Sequence, residues 1–270
     1  MFLWFSASLF LAVRLPASLG DEKRRMEIRE FAEKLGIPCL VHFTRWENLD
    51  GIVQNGLCPK ILLEDLPYDV TINDEMRLDG HEDSVSLSIA FPNYKMFYRY
   101  RSNTQSRGWA VIAIHPSVLW EYECAFCKHN AADSRISRVD IDSLKTIEAF
   151  KDMYKEDQTR ETRLNRLKEL NAPDLLIENE QRLINESSRS FNKLEAYDPT
   201  DPQAEVLIFD IVSPDKITAV VFESSRLLNE FKEKYPNIKA VLNRNYFSAR
   251  CYVRRECWKQ DVDCVCKGGS

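Results

Sequence analysis

The stretch from Val85 to Tyr98 reads VSLSIAFPNYKMFY. Its first five residues alternate apolar and polar side chains, which is typical of a β-strand with one buried face. Pro92 interrupts this alternation, and the apolar spacing that follows predicts a helix from Asn93 to Tyr100. A strand that leads directly into a helix is therefore the first element of the predicted fold.

Strands and helices also alternate through the rest of the chain. Helices are predicted from Met26, from Asn48 to Asn55 with Gly56 as the C-terminal cap, within the charged stretch Ile141–Glu195, and from Arg226 to Lys234. Further strands are predicted at Cys39–Thr44, Trp109–His115, Glu205–Asp210, Ile217–Phe222 and Ile238–Leu242. Because no repeat or flexible linker separates these elements, we predict one α+β domain over about residues 26–260 and a tail at residues 261–270.

The composition narrows the class of protein. The chain has 270 residues, of which 44% are hydrophobic and 29% charged, which is the balance of a globular protein. The formal net charge of −5 excludes a uniformly basic nucleic-acid coat but leaves room for a local basic groove. The eight glycines form no G-x-G-x-x-G run, which argues against a Rossmann dinucleotide site.

Residues 1–25 form an apolar N-terminal extension with two interpretations. Its apolar run and the small residues before Gly20 are typical of a secretory signal peptide, although the start carries no positive charge and Arg14 interrupts the run. Alternatively, the extension is a translated upstream stretch and the protein starts at Met26. A signal peptide predicts secretion, whereas a start at Met26 predicts a cytoplasmic protein. Arg14 argues against a membrane anchor.

The eight cysteines show no regular spacing, which fits reduced thiols better than a disulfide framework. Two short motifs each bring possible ligands close together in sequence: Cys124-x-x-Cys127-x-His129 and Cys264-x-Cys266. Together the two motifs are a candidate set of zinc ligands. Because Cys-x-Cys is a poor second pair, we predict ordinary thiols and no metal site.

Polar side chains occupy two strands where apolar ones are expected. His42 and Thr44 alternate with Val41 and Phe43, so both polar side chains point to the same face of the sheet. Glu205 stands at the head of the apolar run VLIF. Each residue alone is explained by a structural hydrogen bond or by solvation, but together they form a candidate site.

Five motifs follow one another along the chain. They are H-x-T at residues 42–44, the helix that carries Asn48, the run N-D-x-x-R-L-D-G at residues 73–80, the long motif from Ser86 to Tyr98, and A-E-V-L at residues 204–207. In this order they resemble the DarT family of DNA ADP-ribosyltransferase toxins, over about residues 38–250. The resemblance implies an ADP-ribosyltransferase-like split mixed β-sheet with flanking helices, which holds NAD as co-substrate without a glycine-rich loop.

The resemblance also implies roles for individual residues. Glu205 matches the catalytic glutamate, whose charge would stabilise the oxocarbenium-like transition state as nicotinamide leaves. Arg77 matches an essential arginine, whose planar fork suits a pyrophosphate or the transferring base. The implied NAD-binding residues are His42, Phe43 through its backbone, Thr44, Asn48 and Arg77. For Asn48 the alternative is that it only starts the following helix.

The implied substrate is a base in single-stranded DNA. Residues 94–107 carry four cations, four aromatic rings and no acid, a composition that suits phosphate neutralisation and base stacking. The predicted DNA contacts are Lys95, Tyr98, Arg99 and Arg101. The alternative is an ordinary helix with Met96, Phe97 and Tyr100 in the core and solvated arginines.

Further expectations concern the acceptor and the partner. The run at residues 73–80, followed by Ser-x-Ser-Ile, resembles the guanine-directed branch of the family more than the thymine-directed one. The region from about Asn171 to Gln203 takes the position of the family's substrate-recognition loop, which its polar turn residues suit. The resemblance implies a DarG-like macrodomain antitoxin as partner, no membrane and a cytoplasmic location.

Two other functions remain open from the sequence. The first is mono-ADP-ribosylation of protein or RNA, which a genuine signal peptide would favour. The second is a non-catalytic nucleic-acid-binding module, in which His42 and Glu205 would be structural residues.

Overall fold

A computed structural model describes residues 19–65, 70, 79–103, 106–156 and 158–256. Within these ranges seven strands form one sheet, and in chain order they are Leu40–Arg45 (β1), Val85–Ile89 (β2), Trp109–Ile114 (β3), Cys124–Cys127 (β4), Glu205–Ile208 (β5), Ile217–Phe222 (β6) and Ala240–Leu242 (β7). Across the sheet the order is β4-β5-β2-β1-β3-β6-β7. Neighbours are antiparallel except for β6 and β7, which are parallel.

Helices flank this mixed sheet. Within the described ranges they are Leu19–Leu35 (α1), Leu49–Asn55 (α2), Tyr94–Asn103 (α3), Val118–Glu121 (α4), Ile141–Leu144 (α5), Ile147–Asp152 (α6), Thr159–Glu169 (α7), Asp174–Ser187 (α8), Ser225–Lys234 (α9) and Arg250–Glu256 (α10). The mixed sheet and its helices confirm the predicted α+β class.

The sheet is split between its two central strands. β1 pairs with β3 along all six of its residues. With β2 it pairs only at Leu40 and Val41, although β2 begins at Val85. β2 pairs over Val85–Leu87 with β5 instead. The sheet therefore consists of β1-β3-β6-β7 and β2-β5-β4, joined by a short seam between β1 and β2.

Apolar side chains cover both faces of the sheet. One face carries Leu40 and Ile112, which belong to the largest hydrophobic cluster together with residues of α1, α2 and α9. On the other face Val41 packs with Phe97 of α3 in a second cluster, and Leu207 belongs to a third. Each fully buried side chain of this size contributes roughly 1.5–3 kcal/mol to stability.

Most of the predicted elements are confirmed. β2 and β6 have the predicted bounds, and Gly56 ends α2 with φ of 84° and its N–H bonded to the Ile52 carbonyl. β4 was not predicted, because a four-residue apolar run has too little alternation to indicate a strand. α10 was not predicted either.

The region from Asn171 to Gln203 is a correction, because it is not one continuous loop. Its first half contains α8, whose Glu180 is only 4% exposed. Arg160 and Arg163 of α7 pair with that carboxylate at 3.1 and 3.4 Å. The two helices are thus tied as a hairpin, and only residues 188–204 connect α8 to β5 irregularly.

The first helix extends further than predicted. α1 begins at Leu19 rather than at Met26, so it crosses the predicted boundary at residue 25. Arg24 donates to the Lys145 carbonyl at 3.1 Å, and the ring of Phe31 meets that of Phe150 edge to face. Residues 1–18 and 261–270 lie outside the described residues. Among the described helices, none has the length and apolar character needed to cross a bilayer.

Candidate active site

Glu205 begins β5 and is only 5% exposed. Its Oε1 accepts a hydrogen bond from Asn130 Nδ2 at 3.0 Å, and its Oε2 accepts one from the backbone N–H of Ala131 at 2.9 Å. Burying a carboxylate is costly unless such donors replace water. The two donors therefore stabilise the buried carboxylate and fix its orientation.

The neighbour of Glu205 on the adjacent strand is a buried thiol. β4 pairs with β5 so that Cys127 lies opposite Glu205. Burial raises the pKa of the Cys127 thiol to about 12, and the charges of Glu205 and Asp79 add to this rise. Arg77, the second predicted catalytic residue, lies outside the described residues.

A histidine–aspartate pair adjoins the same loop. His129 precedes Asn130, and its Nδ1 lies 2.5 Å from Oδ2 of Asp201. Oδ1 of Asp201 accepts the backbone N–H of Gln203 at 2.8 Å. This pair connects the loop after β4 with the turn that precedes β5. From the sequence His129 was a candidate only as a zinc ligand, and Asn130 and Asp201 were not predicted as site residues.

His42 lies at the seam where the sheet splits. Its Nδ1 is 3.1 Å from the carbonyl oxygen of Ser86, on the far side of the β1–β2 seam. Ser86 in turn lies opposite Leu207 of β5. The imidazole therefore bridges the two parts of the sheet at the point where their backbone pairing has ended.

The other predicted NAD residues of β1 are partly or fully buried. Thr44 is 1% exposed, and its hydroxyl accepts a hydrogen bond from Asn48 Nδ2 at 3.2 Å. Asn48 stands immediately before α2 but makes no side-chain capping bond, so the helix-start alternative has no support from its side chain. The Phe43 ring stacks on Phe97 with centroids 4.6 Å apart.

The structure only partly brings the predicted catalytic and NAD-binding residues together. Strand alternation places His42 and Thr44 on the face of β1 that carries Leu40. The register from β1 through β2 to β5 places Glu205 on the opposite face, the one that carries Val41. At the split β1 and β2 are no longer paired, and the imidazole of His42 reaches across to the Ser86 carbonyl. That Glu205 and His42 enclose one NAD molecule remains a prediction.

The candidate zinc ligands that the structure describes do not form a set. Cys124 belongs to the hydrophobic cluster on one face of the sheet and Cys127 to a cluster on the other. Alternation in β4 thus sends the two thiols in opposite directions. Among the described residues no group of three or more His, Cys, Asp or Glu side chains could hold a metal ion. Cys264 and Cys266 lie outside the described residues.

The predicted DNA-contacting residues divide into two groups on α3. Lys95, Tyr98 and Arg99 are exposed. The guanidinium of Arg101 instead donates to both carboxylate oxygens of Glu223, at 2.8 and 2.7 Å. Arg101 is therefore engaged within the protein, and we do not propose it as a DNA contact.

The apolar side of α3 follows the alternative prediction. Phe97 is fully buried, Tyr100 is nearly so, and Met96 packs against their cluster. The helix thus has a core face and a solvent face that carries cations and an aromatic ring.

A cavity of about 370 Å³ opens beside the loop that holds Glu205. His129 and Asp201 line it, together with Arg250 of α10 and the C-terminal end of α8. A volume of this size suits a small ligand or one nucleobase. Its other charged lining residues are of both signs: Lys128, Arg135, Lys155, Glu156, Glu161 and Glu186.

The solved structures similar to this chain include three of low sequence identity. Thermosipho africanus DarTG in complex with ADP-ribose is 12% identical, with a TM-score of 0.48 over 77% of this chain and 50% of that one. Thermus sp. 2.9 DarT in complex with NAD+ is 13% identical, with a TM-score of 0.45 over 78% of this chain and 98% of that one. The same Thermus protein in complex with ADP-ribosylated ssDNA is 12% identical, with a TM-score of 0.49 over 79% and 97%.

The chain thus spans half the length of the Thermosipho protein and nearly all of the Thermus protein. No curated protein sequence matches it. The family model described as "ssDNA thymidine ADP-ribosyltransferase, DarT" matches residues 41–248, which is well over half of the chain. The predicted family is confirmed, and the chain belongs to the DarT family of ssDNA ADP-ribosyltransferases.

Proposed function

We propose that the chain transfers ADP-ribose from NAD to a base in single-stranded DNA. Membership of the DarT family supports this reaction. The observation that carries the assignment of the site is the buried carboxylate of Glu205, held by Asn130 and Ala131 on β5, the strand that pairs with β2 on the side away from the split.

The chemistry requires a fixed negative charge. Transfer breaks the bond between nicotinamide and C1″ of its ribose, and positive charge develops on the ribose as the bond lengthens. A preorganised carboxylate stabilises that charge without having to reorient. Asn130 and Ala131 hold the oxygens of Glu205 in a fixed orientation, and a carboxylate is an acceptor that suits a ribose hydroxyl.

The remaining NAD contacts follow from β1. We assign the adenosine ribose to His42 and the nicotinamide amide to the backbone of Phe43. Thr44 and Asn48, which are hydrogen-bonded to each other, complete the proposed NAD site. Arg77 supplies the pyrophosphate or acceptor contact.

The DNA strand is assigned to the solvent face of α3. Lys95 and Arg99 neutralise phosphates there, and Tyr98, which is 57% exposed, offers a ring for base stacking. The motif at residues 73–89 supports guanine as the acceptor, whereas the family description names thymidine. The partner proposed for this toxin class is a DarG-like macrodomain antitoxin, and the proposed location is the cytoplasm, where single-stranded DNA is available.

Labelled NAD and a set of oligonucleotides, each lacking one base, test this function. The wild-type protein is expected to label single strands and to fail on the set member that lacks the acceptor base. Mass spectrometry of the product then identifies guanine or thymine. Glu205→Gln is expected to lower the labelling rate at least ~100-fold, because it removes the charge beside the developing cation.

Glu33→Gln is the matched control, because Glu33 is an exposed glutamate of α1, and it is expected to label at the wild-type rate. Label on polypeptide that survives nuclease would show a protein acceptor instead. Absence of both label and NAD-induced thermal stabilisation would show a non-catalytic module, since a ligand at 100 times its dissociation constant adds about 2.7 kcal/mol.

A further inference from the structure

His129 and Asp201 are arranged as a base and its orienting carboxylate. A carboxylate accepts hydrogen bonds, so Nδ1 of His129 is the donor in the 2.5 Å contact with Oδ2 of Asp201. The lone pair of the neutral ring then lies on Nε2. Within the described ranges no hydrogen bond to Nε2 is present. Asp201 is itself fixed through Gln203.

Glu205, which the same loop holds through Asn130 and Ala131, has a different task. Both of its oxygens accept hydrogen bonds from Asn130 and Ala131, which suits a group that must stay negative beside a cation. The acceptor base, however, has to lose a proton when its nitrogen bonds to C1″. A second group that can take a proton is therefore needed near Glu205, and His129 precedes the two residues that hold it.

The cavity provides the place for the acceptor. His129 and Asp201 line it, at the end nearest the loop that holds Glu205, and its volume of about 370 Å³ can enclose one base. Enzymes that modify a base take it out of the stack and read its donors and acceptors. The mixed lining of this cavity, with Arg135 and Arg250 alongside Glu156 and Glu186, offers both kinds of partner.

We infer that this cavity holds the acceptor base and that His129, oriented by Asp201, removes its proton; the inference rests on the proposed function. The C1″–N bond to nicotinamide breaks, and its electron pair leaves with neutral nicotinamide. The base nitrogen forms the new bond to C1″. Its proton passes to Nε2 of His129 and then to water, while Asp201 stabilises the imidazolium.

His129→Gln and Asp201→Asn test the inference in the full chain. A general base contributes about 10²–10⁴-fold, so His129→Gln is expected to lower kcat for transfer by ~100-fold or more. The KM for NAD and the thermal shift that NAD induces are expected to stay at wild-type values. His115→Gln is the matched control, since that histidine is exposed at the end of β3, and it is expected to keep the wild-type kcat.

An acceptor base with a more acidic N–H distinguishes loss of a general base from a structural defect in His129→Gln. In the oligonucleotide, thymine is replaced by 5-fluorouracil or guanine by 8-azaguanine. Such a base depends less on a proton acceptor, so it is expected to recover much of the rate that His129→Gln loses. A purely structural defect would slow both oligonucleotides equally.

The outcomes separate this inference from the function on which it rests. Failure of the wild-type protein to label any oligonucleotide rejects the proposed function. If the wild-type protein labels DNA and His129→Gln labels it at the same rate, the inference alone is overturned. The inference alone is also overturned if His129→Gln loses labelling and the acidic analogue does not restore it. If His129→Gln does not fold, Asp201→Asn with the same pair of oligonucleotides gives the same decision.

Discussion

Arg254 of α10 and Asp198, in the segment before β5, form a buried ion pair. Arg254 Nε donates to Asp198 Oδ2 at 2.8 Å and Nη2 donates to Oδ1 at 3.0 Å, and the aspartate side chain is fully buried. Arg189 donates to the Asp198 carbonyl at 2.7 Å. The family match ends at residue 248, and α10 begins at Arg250. The ion pair therefore links the segment before Glu205 to a helix that lies outside the matched region.

We predict that Arg254→Gln destabilises the fold and slows transfer. Removing one partner of a buried pair leaves the other charge unpaired, which costs about 3–5 kcal/mol. The free energy of unfolding from urea titration should fall by about that amount, and kcat should fall because the segment before Glu205 loses its tether. Arg29→Gln breaks an exposed pair with Glu33 of the same 2.8 Å length and should leave the free energy of unfolding close to the wild-type value, because water screens the pair. Equal losses for the two variants would contradict the prediction.

Asn130→Ala should reduce kcat while leaving the KM for NAD near its wild-type value. The substitution removes one of the two hydrogen bonds that orient Glu205. A hydrogen bond to a charged group is worth about 1.5–3 kcal/mol, so steady-state kinetics should show a loss of roughly 10–100-fold. The control is Asn55→Ala, at the exposed end of α2, which should leave kcat unchanged. A rise in KM with unchanged kcat would assign Asn130 to binding instead.

The solvent face of α3 should control the salt dependence of DNA binding. For single strands, the slope of log K against log salt changes by about 0.7 for each phosphate that the protein no longer neutralises. Lys95→Gln and Arg99→Gln should each reduce that slope by about this amount in a fluorescence-anisotropy titration. Arg101→Gln should keep the slope but lower the unfolding midpoint, because Arg101 pairs with Glu223. A reduced slope for Arg101→Gln would return that residue to the DNA-binding surface.

Strand periodicity predicted most of the sheet because alternation is a local property. β2 and β6 have their predicted bounds, since each is flanked by polar or turn residues. β4 was not predicted because CAFC is buried on both faces of the sheet and therefore shows no alternation of apolar and polar residues. The split itself could not be predicted from local patterns, because it depends on β2 pairing with β5, a strand more than a hundred residues away.

Only those site residues that belong to a sequence motif could be predicted from the sequence. Glu205 and His42 stand in recognisable positions within their strands: Glu205 begins β5 opposite Cys127, and His42 reaches across the seam to Ser86. Asn130 and Asp201 have no sequence signal, because what makes them relevant is contact across 75 and 72 residues with Glu205 and His129. Such contacts follow from tertiary packing, which a single sequence does not reveal.

The two thiols of β4 should resist alkylation in the folded protein. Burial raises the pKa of both Cys124 and Cys127 to about 12, so at pH 8 neither forms the reactive thiolate. Peptide mapping after iodoacetamide treatment should show Cys251, which is exposed, modified well before them. Unfolded thiols ionise near pH 9, so the free energy of unfolding should decrease as the pH rises from about 9 to about 12. A pH-independent stability in that window would contradict the raised pKa values.

Gly56→Ala should be among the most destabilising single-methyl substitutions in this chain. Gly56 has φ of 84° and ψ of −169°, a region that essentially only glycine occupies and that costs other residues about 1–3 kcal/mol. An added Cβ would also lie 2.1 Å from the Val212 carbonyl oxygen, and that oxygen accepts the N–H of Leu57. The control is Gly36→Ala, which has φ of 66° but nothing within 4 Å of the added carbon, so it bears only the backbone cost. Thermal unfolding should therefore show a clearly larger loss for Gly56→Ala, and equal losses would mean that the Leu57–Val212 bridge yields without cost.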